Sequence, residues 1–486
     1  MPDTPQETSL FRHPSRALGA LALVSVILGV VLRGLATQGE LWLDELWSRL
    51  HVASIQSPLE ILTDVKHDNN HLLNSLWLWL VGPDVAYFVY RLPSLAFSAL
   101  LLLVLAREAY VRRNQESYLI WLIMVAASYP LTLYGTEARG YSLALLMSVV
   151  GFVSLLRLRD DPGNTRAAIS FGVAGIIGCL SHAIYALFLA PAIAWLGYMC
   201  LTSKARANAG QIIRRCIIPP ILTAILLLNL FYTGMEIGGA PLLPYLEVAA
   251  STISVAFGGE ALSASAPAVT GWSLFLALTI TIIGVIELVS WIRSKDPVAI
   301  LVGLILVTPW VAVAVCQPHF ILGRYFVIQV VFAYLLLARF LVRLMKQGPL
   351  GACVSFVLIL AFISCNARHS YQLLALGRSH FVEIFTTLSN AGQGEMVPVS
   401  GDQDFQNSLR LSYAQTRTEK PIFIHYLTRD YSGKQVPRFV VRESLDAHEQ
   451  FPNSWTSSKG ITYDLKTTYR APPLNGANVY VYEAAQ

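Results

Sequence analysis

From residue 17 to residue 366, long apolar runs alternate with short polar turns; beyond that the pattern changes. A helix crossing a bilayer needs about 20 mostly apolar residues. Eleven segments meet or approach that length: 17–36, 85–106, 117–135, 140–156, 167–181, 183–201, 216–234, 268–292, 298–316, 324–343 and 349–366. The fifth is the shortest. The run Leu72–Val81 is shorter still and carries Trp77 and Trp79, which predicts a helix lying at the interface or half buried. From residue 367 the apolar runs shrink to strand length at Val397–Val399, Pro421–Ile424, Phe439–Val441 and Val479–Val481. They alternate with helical stretches at Phe381–Ser389 and Asp404–Ala414, which predicts a small α/β unit. The expected fold class is therefore an α-helical polytopic membrane protein of about eleven spans (residues 1–366, with a first outer loop at 37–84), followed by a soluble α/β domain at 367–486.

Composition agrees. The chain is 55% hydrophobic and 13% charged, against about 25% charged residues in soluble domains. The net charge of +5 is spread over turns and not gathered in a patch, so no nucleic-acid partner is expected. The six cysteines lie in or beside apolar spans without CxxC or Cys/His spacing, which argues against a disulfide framework or structural zinc. The run Ala17–Val31 lacks a small-residue cleavage site and reads as a retained signal anchor. Gly392–Gly394 precedes a strand and does not open a helix, so it is not a phosphate loop.

Lys and Arg divide the loops into two sets. Seventeen fall on one side, from Arg12 and Arg16 through Arg107, Arg157 and Arg214 to Lys346. The opposite side has few, among them Arg49, Lys66, Arg139 and Arg324. The positive-inside rule makes the first set cytoplasmic. The first loop, the turns near Arg139, His182 and His319, the loop 235–267 and the C-terminal domain are then outside.

That outer face collects the unusual polar residues. Asp44 and Glu45 stand between Trp42 and Trp47, where partial desolvation makes a carboxylate a usable general base; a solvated loop pair is the bland alternative. In HDNNH, Asp68 and His71 at i, i+3 would share one face of a helix and hold a divalent cation, or Asp68 or Asn70 would simply cap the following helix. In TEARGYS, Arg139 suits a phosphate, with Glu137 to orient it, and GRYF offers Arg324 and Tyr325 for the same purpose; plain interfacial anchoring is the competing reading. His182 and His319 read as helix-end histidines. The Gly-containing loop 235–267, with PLLPY at 241–245, is a candidate lid over a cavity.

The order of LWLDELWS, HDNNHLLNSLWLWL, YRLPSLAFSALLLLVLARE, YGTEARGYSLALL, SHAIYALFLAPA and GRYF resembles the GT-C glycosyltransferases of the family 39 type, bacterial and protein O-mannosyl membrane enzymes that use polyprenyl-phosphate sugars. Residues 15–200 carry most of the similarity. The resemblance implies an inverting sugar transfer from a lipid-phosphate donor to an extracytoplasmic hydroxyl on a glycolipid such as lipopolysaccharide, another glycan or a protein, in a bacterial inner membrane. It implies Asp44 as base with Glu45 beside it, Arg139 and Arg324 with Tyr325 on the donor phosphate, and Asp68 and His71 as acceptor or metal contacts. Glu137, Tyr141 and His182 join them around the cavity. The second acidic motif departs from the family's D-x-H-P-P: spacing is one residue longer and both prolines are missing. A divalent cation is compatible with the site and not required. A transporter or flippase of a lipid-linked or small substrate is the alternative, and would place its polar residues near the bilayer midplane.

Overall fold

The computed structural model describes residues 16–83, 85–112, 115–202, 204–238, 244–318, 321–419, 421–429, 435–446 and 448–485. Among these, nine helices are long and apolar enough to cross a membrane, and a tenth span arises if the bent pair Gln115–Ala127 and Tyr129–Gly135 is counted as one. With the shorter helix Thr165–Ser181 they coincide with the eleven expected segments. The chain is a multi-pass α-helical membrane protein with a small C-terminal α/β domain. The helix Leu72–Val81 is also present. The last span runs past residue 366 to Leu376 and is stopped by Gly377, whose φ of 72° favours glycine.

One irregularity positions much of the site. The third span is bent by 61° between Ala127 and Tyr129. Pro130 has no N–H to give the Ala126 carbonyl four residues earlier, and Ser128 caps the new helix by accepting from Leu131 N–H at 3.3 Å. In hydrocarbon such a loosened carbonyl must find another donor. Arg33, fully buried within the first span, supplies it: its guanidinium donates to Ala126 O at 3.0 Å and to Val125 O at 2.9 Å. An arginine inside an apolar span is thus the repair for a proline break. The short helix that follows, Tyr129–Gly135, delivers the turn carrying Glu137 and Arg139.

The C-terminal domain holds a six-stranded mixed sheet: β1 (Val397–Gly401), β2 (Ile424–Tyr426), β3 (Phe439–Ser444), β4 (Ser454–Thr456), β5 (Thr462–Tyr469) and β6 (Asn478–Ala484), in the order β2-β1-β3-β6-β5-β4. β1 runs parallel to both of its neighbours, and the β6-β5-β4 side is antiparallel. β4 and β5 escaped the sequence reading because their residues are mostly polar or half-exposed. The helices Phe381–Asn390 and Asp404–Arg417 pack on the sheet through Ile384, Phe385, Leu388, Leu411 and Ala414.

Contacts at several points fix this domain on the membrane part. Glu40 accepts the backbone N–H groups of Val382 (3.1 Å) and Glu383 (3.3 Å), capping the Phe381–Asn390 helix from outside. The turn at Pro473 and Leu474 takes hydrogen bonds from the hydroxyls of Tyr129 and Tyr134. Arg378 is buried between the two parts.

The loop 235–267 is more ordered than a simple lid. It contains a helix, Tyr245–Ala256. Its start pairs with the first loop, Asp68 N–H donating to Glu236 O at 2.9 Å. Ser263 binds Asp446 of the C-terminal domain at 3.0 Å. Residues 239–243, which include most of PLLPY, lie outside the described residues, as does His319.

Candidate active site

The helix Leu43–Ala53 opens the site. Asp44 and Glu45 occupy its first turn, where the helix dipole favours carboxylates. Neighbouring residues on a helix point about 100° apart, and here this separates the pair completely. Glu45 turns inward and is fully buried. Its oxygens bind Arg91 (2.8 and 2.5 Å), the Ala138 N–H (2.7 Å) and the Trp42 N–H (3.2 Å). Burial pushes this carboxyl up, yet Arg91 brings it below the usual glutamate range. Arg91 in turn donates to the carbonyls of Thr37, Gln38, Gly39 and Glu40, binding the turn between the first span and the Asp44 helix. Glu45 was expected beside the catalytic base. It does not line the cavity, and it has no oxygen left for a substrate.

Asp44 faces the other way. Its Oδ2 accepts from Arg139 at 2.9 Å and pairs with Arg324 Nη1 at 2.6 Å. Its Oδ1 has no hydrogen-bond partner among the described residues. Arg139 is 4% exposed and also donates to Asn69 Oδ1 (2.5 Å) and to His71 Nε2 (3.1 Å). Asn69 closes the frame by donating to the Asp44 carbonyl at 2.7 Å. Gly140, beside Arg139, lies so near the end of the fifth span that a Cβ there would sit 2.0 Å from Ser181 O. Only glycine lets this turn reach its place. Both guanidiniums lie near the Trp42 ring, 5.9 and 5.5 Å from its centroid.

These groups head a cavity of about 370 Å³. Asp44, Asp68, His71, Arg139, Tyr141, His182, Arg324 and Tyr325 line it, so eight of the ten expected site residues converge there. Away from the arginines the lining turns apolar, with Leu187, Phe231, Val313 and Ile321.

The two histidines are neutral hydrogen-bonding groups. His71 Nε2 accepts from Arg139, which puts its proton on Nδ1; His182 Nδ1 accepts from Ile184 N–H at 3.2 Å, which puts its proton on Nε2. Their rings stack at 4.2 Å. Burial, then the adjacent guanidiniums, hold both well below the usual histidine range, His71 also feeling His182. His182 Nε2 and the Tyr141 hydroxyl are buried without a partner among the described residues, so each is an unspent donor at the cavity wall.

The expected Asp68/His71 pair is not on one helical face. Both lie in the turn before the helix that starts at Leu72, and neither Asp68 nor Asn70 caps it; His71 is the N-cap residue and makes no capping bond. Asp68 Oδ1 accepts from Gly238 N–H (3.2 Å) and lies 2.9 Å from His67 Nδ1. His71 instead serves Arg139. Among the described residues no group of three or more His, Cys, Asp or Glu side chains could hold a metal. With His71 Nε2 already accepting a guanidinium N–H, this donor set does not fit a divalent cation.

Glu137 sits behind the cavity, fully buried, 4.0 Å from Arg139 but 3.5 Å from Arg378. Arg378, which the sequence reading missed, also donates to Thr136 Oγ1 (2.7 Å) and Leu133 O (2.9 Å). Only the chain's return from the last span brings it there. Burial raises the Glu137 carboxyl to about 7 against the pull of Arg378 and Arg139. The folded state therefore binds more protons than the unfolded state between the ordinary 4.5 and 7. Stability should fall as pH rises through this window, by up to ~1.4 kcal/mol per pH unit from this group, and level off above it. Thermal unfolding at pH 5, 6, 7 and 8 checks this. Glu137→Gln should be increasingly stable relative to the unaltered chain from pH 5 to 7, and a constant difference would refute it.

No protein-family model matches the chain, and no curated protein matches it. Among solved structures the chain is similar to the crystal structure of ArnT from Cupriavidus metallidurans bound to undecaprenyl phosphate, with a TM-score of 0.48 and 12% sequence identity, over 95% of this chain and 97% of that one.

Proposed function

We propose that this protein is a membrane glycosyltransferase that moves a sugar from a polyprenyl-phosphate donor to an acceptor hydroxyl at the extracytoplasmic face. One observation carries the reading: Arg139 and Arg324 converge on a single carboxylate oxygen at the polar head of a cavity whose far wall is apolar. Two guanidiniums suit a phosphate, and the apolar wall suits the adjoining isoprenoid.

In the reaction, the acceptor oxygen attacks the anomeric carbon and the bond from that carbon to the phosphate oxygen breaks. The phosphate leaves with the electron pair, still attached to its polyprenyl tail. Arg139 and Arg324 are aimed where that charge develops, which is where preformed donors lower a barrier most. Asp44 takes the acceptor proton on Oδ1, the oxygen that neither arginine engages. His71 and Asn69 hold Arg139 in register, and Tyr141 and His182 offer their free donors to the sugar. The Lys/Arg asymmetry supports placing this face outside, in a plasma membrane with the N-terminus cytoplasmic.

Undecaprenyl phosphate serves as the probe. It should raise the unfolding temperature of the purified chain. Arg324→Ala and Arg139→Ala should each weaken that effect, shifting the half-maximal lipid concentration about 10- to 100-fold, as expected for loss of a charge-assisted contact of about 1.5–3 kcal/mol. A half-maximal concentration unchanged in both variants would remove the phosphate role.

A further inference from the structure

We infer that Trp47, His51, His67 and Asp68 of the membrane part, with Phe405 of the C-terminal domain, form a carbohydrate-binding shelf that receives the acceptor, which makes the acceptor a glycan or the sugar head of a glycolipid. The inference rests on the proposed transfer reaction for its role, though not for its binding chemistry.

The shelf starts at Asp44. Trp47 and His51 follow it at i+3 and i+7 on the helix Leu43–Ala53, so the three share a face that leads away from the base. His67 fills the angle between the other two rings, 4.6 Å from Trp47 and 4.5 Å from His51. Phe405 closes the far side, 5.6 Å from Trp47. Trp47, His67 and Asp68 line the cavity, whereas Phe405 packs on Trp47 and is 63% exposed. A phenylalanine this open, in the first turn of the Asp404–Arg417 helix, has most of its surface available to a ligand.

A pyranose has an apolar C–H face and a belt of hydroxyls. The rings of Trp47 and Phe405 suit the face. Asp68, 26% exposed on its side chain, can accept from two hydroxyls, and His51 Nε2 is buried without a partner among the described residues. A serine or threonine acceptor in a peptide would bring no ring face to the shelf. The shelf continues from Asp44 along the same helix face, so the proton acceptor stands next to the acceptor sugar. The anchoring of the C-terminal domain through Glu40, Arg378 and the turn at Leu474 holds Phe405 in register with Trp47.

The full chain in lipid nanodiscs, titrated by saturation-transfer NMR with short oligosaccharides of glucose, glucosamine, galactose and mannose, tests the shelf without any reaction. At least one probe should receive saturation, and Phe405→Ala and Trp47→Ala should each weaken its binding about tenfold or abolish it. Phe405→Ala alters an exposed side chain, so it keeps the test sound if Trp47→Ala misfolds. No saturation of any probe, or unaltered binding in the Phe405→Ala chain, would overturn the shelf. Stabilisation by undecaprenyl phosphate is read in the same samples. If that stabilisation is missing while the oligosaccharide response behaves as expected, the donor reading fails and the shelf stands.

Discussion

Asp44→Asn is expected to lower sugar transfer by about 10²- to 10⁴-fold, the usual contribution of a positioned general base. Asparagine keeps the shape of the side chain but cannot take the acceptor proton. The variant has a second signature. In the unaltered chain Arg139 and Arg324 share the Asp44 carboxylate at 2.9 and 2.6 Å. Removing that charge leaves both guanidiniums short of an anion, so the donor phosphate should bind as well as before or more tightly. Transfer assays on purified protein, together with stabilisation by undecaprenyl phosphate, read the two effects separately. Near-normal transfer would sink the base assignment. Loss of both transfer and lipid stabilisation would recast Asp44 as a structural partner of the arginines.

Glu45→Ala, one residue along, is expected to act on folding. Its carboxylate joins Arg91 to the backbone of the 136–139 turn and to the start of the Asp44 helix, entirely out of solvent. Deleting one partner of such a buried pair leaves the other charged and uncompensated, at a cost of about 3–5 kcal/mol. That is a large share of the stability of a typical fold. The variant should show poor recovery as a monodisperse species and a markedly lower unfolding temperature. Arg91→Ala should do the same, and the double variant should be far less destabilised than the sum of the two. A Glu45→Ala chain with normal stability and abolished transfer would return Glu45 to the catalytic group. The contrast between adjacent positions, one lost in rate and one in stability, follows from the 100° between consecutive residues on a helix.

Most of the membrane architecture was legible because the bilayer imposes a length rule on apolar runs. The candidate chemistry was legible where a charged residue stood against that rule, as at Asp44, Arg139 and Arg324. Local patterns misled where the outcome depended on a partner far along the chain. Asp68 and His71 have helical spacing, yet pairing with Glu236 keeps the Asp68 segment in a turn, and His71 is claimed by Arg139. Arg33 carries no local sign of its role, which only the carbonyls freed before Pro130 supply. Arg378 follows a long apolar helix and carries no local signal at all.

By itself the sequence determined which segments are long and apolar enough to span a membrane, which loops collect the unusual carboxylates and arginines, and that a small α/β domain follows the last span. These depend on hydrophobicity and charge, which each residue carries with it. Only the tertiary structure decided which carboxylate meets the cavity and which is consumed inside the fold, how two arginines 185 residues apart come to share one oxygen, and that Phe405 stands over Trp47. Those outcomes depend on distances between segments remote in the chain, and such distances exist only once the spans have packed and the C-terminal domain has docked.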